Sequence, residues 1–220
     1  LIVDVENGLP YFSPWWWQGA RLLFVQHVHT EQWALRFPRP VAALGRLLES
    51  RVMPWAYRRE LVVVPSESTR ASLAELGFDR ERIDVLHLGT DAPAPAGAKG
   101  KEPMFLALGR LVPHKRIRRL LDIWRIVQPV VGGTLVIAGT GPEDAELRRL
   151  GGKGVHFTGA VSEGDKARLL GECWLLVHAA MHEGWGMVVM EAAAAGTPTL
   201  AFDVAGIRDA VVPGVTGELV

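Results

Sequence analysis

Glu183 and Glu191 bracket a stretch that contains Gly184-Trp185-Gly186 and the apolar turn Met187-Val188-Val189-Met190. A short apolar run, Trp174 to His178, comes just before it and is long enough for a buried parallel strand. After it, Met187 to Ala195 holds strong helix formers and meets Gly196 and Pro198, a helix stop. The stretch therefore reads as strand, loop and helix N-terminus. Its glycines let the backbone approach a ligand closely. The free N–H groups of a first helical turn suit an anionic group. Glu183 then falls in the loop beside that anion. Glu191 falls about one turn into the helix, where a carboxylate can accept two hydrogen bonds from a vicinal diol. A phosphate at the helix start, a diol under one carboxylate and a polar group under the other together describe a nucleotide sugar.

Two cations point the same way. Gly109-Arg110-Leu111-Val112-Pro113-His114-Lys115 follows the apolar run Met104–Leu108, so Arg110 and Lys115 sit at the ligand-facing end of a strand. A diphosphate suits two such groups. Gly139-Thr140-Gly141-Pro142 only begins a dinucleotide fingerprint, because Asp144 stands where the third glycine belongs. That counts against an oxidoreductase. No Asp-x-Asp occurs, so no divalent-metal clamp on the diphosphate is expected. Its charge falls instead to Arg110, Lys115 and the helix N-terminus. In the first half, the strand Arg21–Gln26 delivers His27 and His29 at its carboxyl end. No third ligand is apparent for them, so neither a metal nor a cofactor is expected.

Glu-x7-Glu around Gly-Trp-Gly resembles the retaining glycosyltransferases of family 4, which have the two-domain B-type fold. The resemblance implies that Glu191 holds the nucleotide ribose and that Glu183 faces the donor sugar. Gly184, Trp185, Gly186 and Met187 would line the donor. Gly109-Arg110-Leu111-Val112-Pro113-His114-Lys115 resembles the family's Gly-Arg-Leu-x-Pro-x-Lys, whose arginine and lysine hold the phosphates; the family often has a glycine where Arg116 stands. Phe157-Thr158-Gly159-Ala160-Val161 resembles the segment that lies against the nucleobase, with Val161 at its end. A histidine at the end of a first-domain strand hydrogen-bonds the transferred sugar in that family, and His27 is the choice for it, with His29 the fallback. The implied fold is α/β, two Rossmann-like domains with the first incomplete. The implied reaction transfers a sugar from a nucleoside diphosphate sugar to a hydroxyl of a glycan, lipid or small-molecule acceptor, with retention. Two alternatives stay open: a non-catalytic nucleotide-sugar-binding protein and a nucleotide-sugar epimerase.

The chain has 220 residues, 49% of them hydrophobic, and a formal net charge of zero. A sizeable core can form, and the charge argues against a nucleic-acid partner. Three segments are expected: a partial acceptor-side domain over 1–91, an Ala/Pro/Gly-rich linker over 92–103, and a nucleotide-sugar domain over 104–220, where apolar runs and helical patterns alternate. The chain starts and stops on strand-like runs, so it reads as truncated at both ends. Such a piece is expected not to transfer sugar alone. The single cysteine, Cys173, reads as a small buried hydrophobe. Trp15, Trp16 and Trp17 cannot all face one core: one or two pack under their loop, or they form an acceptor-side or membrane-facing surface. Between positions 36 and 59, six arginines stand against one glutamate, a local +5, with Trp55 and Tyr57 interleaved. This helix, expected to bend at Pro54, either packs on its sheet with solvated arginines or lies on an anionic membrane. No run is of membrane-spanning length, so the expected location is cytoplasmic, with peripheral attachment to the inner face of the membrane.

Overall fold

The computed structural model describes residues 1–6, 8–91 and 98–220, and not the side chains at 35 and 36. The chain divides into two compact units, Leu1–Leu88 and Gly89–Val220.

The first unit is built on a four-stranded parallel sheet in sequential order, β1 (Ile2–Glu6), β2 (Arg21–Val25), β3 (Leu61–Val64) and β4 (Ile83–Val85). Parallel neighbours need crossovers. Between β2 and β3 these are α1 (Gln32–Arg36), α2 (Arg39–Leu47), a π turn (Leu48–Val52) and α3 (Met53–Ala56); between β3 and β4 comes α4 (Glu67–Glu75). Leu23, Val25, Met53, Tyr57, Val62, Val64, Leu73 and Ile83 form the core. Ser66 caps α4 by accepting the Thr69 N–H at 3.1 Å.

Where a bend at Pro54 is expected, the helical backbone runs on from α2 into α3 through the π turn just ahead of the proline. Pro54 sits in the first turn of α3, where its missing N–H costs least. The wider turn before it swings Glu49 inward to full burial. All three of Trp15, Trp16 and Trp17 are exposed, at 57%, 58% and 38%, so none packs under its loop.

The second unit is a six-stranded parallel sheet: β5 (Met104–Leu108), β6 (Thr134–Ala138), β7 (Val155–Gly159), β8 (Leu175–His178), β9 (Thr199–Ala201) and β10 (Gly217–Leu219), in the order β10-β9-β8-β5-β6-β7. That is the 3-2-1-4-5-6 order of doubly wound folds, and its direction of progression reverses between β5 and β8. The helices are α5 (Ile117–Val131), α6 (Asp144–Leu150), α7 (Glu163–Glu172), α8 (Met187–Ala194) and α9 (Ile207–Ala210). Helix α5 buries Ile117, Leu120, Leu121 and Trp124, a single face at 3–4–7 spacing. It runs past Pro129 to Val131, because a proline so near the end removes only one backbone bond before Gly132 closes the helix.

Part of the expected linker, 92–97, lies outside the described residues. The part beyond it is tied to the second unit. Lys99 donates to the Cys173 carbonyl at 2.7 Å and to Thr197 Oγ1, and Trp174 Nε1 donates to the Gly100 carbonyl at 2.8 Å. Cys173 itself is fully buried, and burial pushes its thiol pKa up, as suits an inert packing residue.

Candidate functional site

In an open parallel sheet, the loops that leave the carboxyl ends of the two strands at the reversal point diverge and leave a crevice. Here those loops follow β5 and β8. The first carries Arg110 and a 3-10 turn, Pro113–Lys115; the second carries Glu183 and ends in α8. Arg110, Lys115 and His178 line one small cavity at this point, with Ala179 and Ala180 as its floor. Lys115 and Glu183, 68 positions apart, form a direct ion pair on Glu183 Oε1. His178, the last residue of β8, stands with Nε2 3.2 Å from the same oxygen. Burial alone would raise the Glu183 carboxyl; the hydrogen bond to His178 and the charge of Lys115 outweigh it and hold the pKa at about 2. Glu183 is therefore a carboxylate at neutral pH, able to accept hydrogen bonds and unable to act as a general acid.

A pH dependence follows from that depression. The unfolded reference is 4.5 and the folded value about 2. A depressed acid contributes its stability above the unfolded value and loses it as the pH falls through the folded one. On the order of 3 kcal/mol should disappear between those limits. Urea denaturation of the wild type is expected to weaken more between pH 5 and pH 2.5 than that of Glu183→Gln. Parallel profiles for the two proteins would remove the assignment.

The loop from Glu183 to Gly186 is set by two glycines. Gly186 caps α8 at φ 78°, and a Cβ there would lie 2.6 Å from Ile207 Cδ1. Gly206 has φ 80°, and a Cβ there would lie 2.1 Å from the Glu183 carbonyl oxygen. Side chains at either position would be strained in backbone and would push the loop off the start of α9. The first N–H groups of α8, those of Met187 and Val188, have no carbonyl behind them in the helix. Met187 is exposed at 37% and Gly184 is half-buried. Trp185 is 6% exposed and packs beneath the loop.

Glu191 lies in α8 with its side chain 20% exposed, and Lys166 of α7 reaches its Oε1 at 2.8 Å. Lys166 also pairs with Glu163 at 2.6 Å. Val161 is half-buried between β7 and α7, just before the Ser162 cap. Arg110 is exposed at the mouth of the crevice. Arg116 occupies the left-handed region at φ 52°, which accounts for the glycine that the resembling family places there.

The structure thus groups Arg110, Lys115 and Glu183 and brings in His178, Lys166 and Gly206, which sequence reasoning missed. His178 was legible as a titratable residue at a strand's carboxyl end. Lys166 and Gly206 carry no signal that distinguishes them from an ordinary surface lysine and turn glycine. In the first unit, His27 is half-buried and His29 is 5% exposed, their rings in tilted contact with centroids 4.0 Å apart. Burial removes His29 as the fallback for a sugar contact.

Residues 90–220 match the family of glycosyl transferases group 1, and residues 8–92 match glycosyltransferase family 4. The chain is 31% identical over 186 residues to a GDP-mannose-dependent alpha-mannosyltransferase of Mycobacterium tuberculosis, covering 75% of this chain and 46% of the relative. It is 30% identical over 203 residues to a D-inositol 3-phosphate glycosyltransferase of Mycobacterium bovis, covering 82% and 41%. The chain therefore spans less than half the length of these curated relatives. Among solved structures, sucrose-phosphate synthase from Thermosynechococcus elongatus superposes with a TM-score of 0.76 at 22% identity, over 96% of this chain and 59% of that one. Anabaena HepE in complex with UDP does so at 0.74 and 22%, over 91% and 58%.

Proposed function

The chain belongs to the group 1 glycosyl transferases, B-type members of glycosyltransferase family 4, and from that premise we propose that its protein moves a sugar from a nucleoside diphosphate sugar to an acceptor hydroxyl with retention of anomeric configuration. The observation that carries the reading is the Lys115–Glu183–His178 cluster at the β5/β8 reversal, beside the start of α8. The donor diphosphate meets Arg110, Lys115 and the N–H groups of Met187 and Val188, with no metal needed to neutralise it. Glu183, fixed as a carboxylate, accepts hydrogen bonds from the donor sugar. Glu191 takes the ribose diol, with Lys166 holding its other side, and Val161 lies against the base. His27 hydrogen-bonds the transferred sugar. As in the family's reaction, the leaving phosphate takes the acceptor proton on the face from which the sugar departs. Glycan, lipid and small-molecule acceptors all fit this chemistry.

The test is release of nucleoside diphosphate by the full-length protein from UDP- and GDP-sugars, with and without acceptor extract, and NMR of the product's anomeric proton. Acceptor-dependent release with retention supports the reading. Binding without release would make the protein a non-catalytic binder, and an isomerised sugar would make it an epimerase.

Glu191→Ala is expected to weaken nucleoside diphosphate binding itself, since a charged hydrogen bond to the diol contributes roughly 1.5–3 kcal/mol. Calorimetry showing equal affinity for variant and parent would remove Glu191 from the ribose.

A membrane surface is a second partner of the proposal. Arg39, Arg46, Arg51, Arg58 and Arg59 are exposed, among the exposed apolar side chains Val41, Leu44, Leu47 and Trp55. The one acid of the segment, Glu49, is buried, so the outer face is wholly cationic. No helix among the described residues is long and apolar enough to cross a membrane, and peripheral attachment to an anionic leaflet, the inner one of a cell, uses such a face. Reversing Arg46, Arg51 and Arg58 to glutamate should abolish salt-sensitive co-sedimentation with anionic vesicles, each arginine contributing about 1 kcal/mol. Unchanged sedimentation by a folded variant would make this a packed helix only.

A further inference from the structure

The donor-site reading leaves unused a cluster inside the first unit. Glu6 ends β1, His29 follows β2, and Glu49 projects from the π turn. Their side chains are 0%, 6% and 1% exposed. One ligand atom from each lies within 4.8 Å of the other two. His29 Nδ1 is 3.2 Å from Glu6 Oε1 and 4.0 Å from Glu49 Oε1. Bonds of about 2.0–2.2 Å around a tetrahedral ion put neighbouring ligand atoms roughly 3.4 Å apart, so a small ion fits among the three with minor adjustment.

Two further observations point to an occupant. The approach of His29 Nδ1 to Glu6 is not a hydrogen bond: Nδ1 is buried without a partner, and so is Glu6 Oε2. Buried polar atoms in native proteins are nearly always satisfied, and here two of them belong to one cluster. The carboxylates are also held from behind. Gly8 N–H donates to Glu6 Oε1 at 2.6 Å, and the His29 N–H donates to Glu49 Oε1 at 2.5 Å. Trp33 Nε1 and Thr30 Oγ1 donate to Glu49 Oε2 at 2.9 and 3.3 Å. Such outer hydrogen bonds orient ligating carboxylates in metal sites. Among the described residues no lysine or arginine pairs with either acid, so two buried carboxylates face one imidazole, and isolated buried charge is costly.

We propose that Glu6, His29 and Glu49 form a binding site for one divalent transition-metal cation, with zinc the best match to one imidazole nitrogen and two carboxylate oxygens. The ion ties the end of β1, the loop after β2 and the π turn into one piece. It fixes His29, and through the tilted ring contact, with centroids 4.0 Å apart, it steadies His27. The sequence showed the two histidines and no third ligand, because the two groups that join His29 come from positions 23 residues before it and 20 after it.

The test strips the full-length protein with a chelator and titrates it with Zn2+ by calorimetry and with Co2+ by visible spectroscopy. One equivalent of Zn2+, a higher melting temperature and the intense visible bands of four-coordinate cobalt are expected. Glu6→Gln and Glu49→Gln, close isosteres, should each weaken binding at least tenfold. Failure of the wild type to take up a stoichiometric ion, or undiminished uptake by both folded variants, overturns the proposal. A variant that does not fold leaves the wild type to decide: ring-nitrogen NMR should show the His29 Nδ1 resonance moving on addition of one equivalent, and its staying still is also a refutation. None of these readouts depends on sugar transfer.

Discussion

Lys115→Ala is expected to remove measurable binding of nucleoside diphosphate and to lower stability at neutral pH. Lys115 is one of two cations at the crevice between β5 and β8. A charge-assisted bond to phosphate contributes roughly 1.5–3 kcal/mol, about 10–150-fold in affinity, enough to take a modest ligand out of calorimetric range. The stability loss has a different origin. Glu183, with its side chain 19% exposed, keeps its negative charge after its ion-pair partner has gone, and an uncompensated, largely buried carboxylate is destabilising. A double variant separates the two effects. Lys115→Ala with Glu183→Gln should recover most of the stability, because both charges are absent, while binding stays lost. Lys115→Arg keeps the charge and should retain part of both. Nucleotide-induced stabilisation that survives Lys115→Ala unchanged would mean that the diphosphate lies elsewhere.

That pair also shows where sequence reading stops. Lys115 and Glu183 were each legible from their own strand–loop contexts. Their contact was not, because it depends on β8 pairing with β5 across a gap of two strands and their helices in the chain. The strands of the second unit were easy to find, since a strand covered on both faces is a short apolar run between turn residues. The segment from Arg39 to Ala56 was harder. Counting charges made Glu49 an ordinary member of a cationic surface, and only the π turn ahead of Pro54 shows that it points inward. Glu6 was hidden in the same way, at the end of a strand beside turn residues. Burial of an acid leaves no trace in composition; it depends on the side of the backbone from which the side chain leaves. The tryptophans at 15–17 stayed open between packing and exposure for the opposite reason. Apolar residues are expected inside, and exposure of three together reflects a surface whose use propensity does not encode.

His27→Ala should slow sugar transfer by roughly 10²–10³-fold, the cost of deleting one placed hydrogen-bond donor at a reacting centre, and should leave nucleoside diphosphate affinity unchanged. Nucleotide binding and sugar transfer draw on different residues. Arg110, Lys115, Glu183 and Glu191 all belong to the second unit, which carries the diphosphate and ribose contacts of the proposal, so ground-state binding of the nucleotide does not need His27. Transfer does need it, since an interaction with the departing sugar contributes to turnover only if it is stronger at the transition state than before. The pair His27 and His29 makes the experiment specific. The two rings touch at a tilt with centroids 4.0 Å apart, but His27 is half-buried and His29 is 5% exposed among carboxylates. Substituting His29 should therefore lower the melting temperature as well as turnover, whereas His27→Ala should lower turnover at an unchanged melting temperature. His27→Gln, which keeps a donor at similar reach, should restore part of the rate. Full turnover by His27→Ala would transfer the role to another group, and a drop in nucleotide affinity equal to the drop in rate would show that His27 contributes uniform binding with no preference for the transition state.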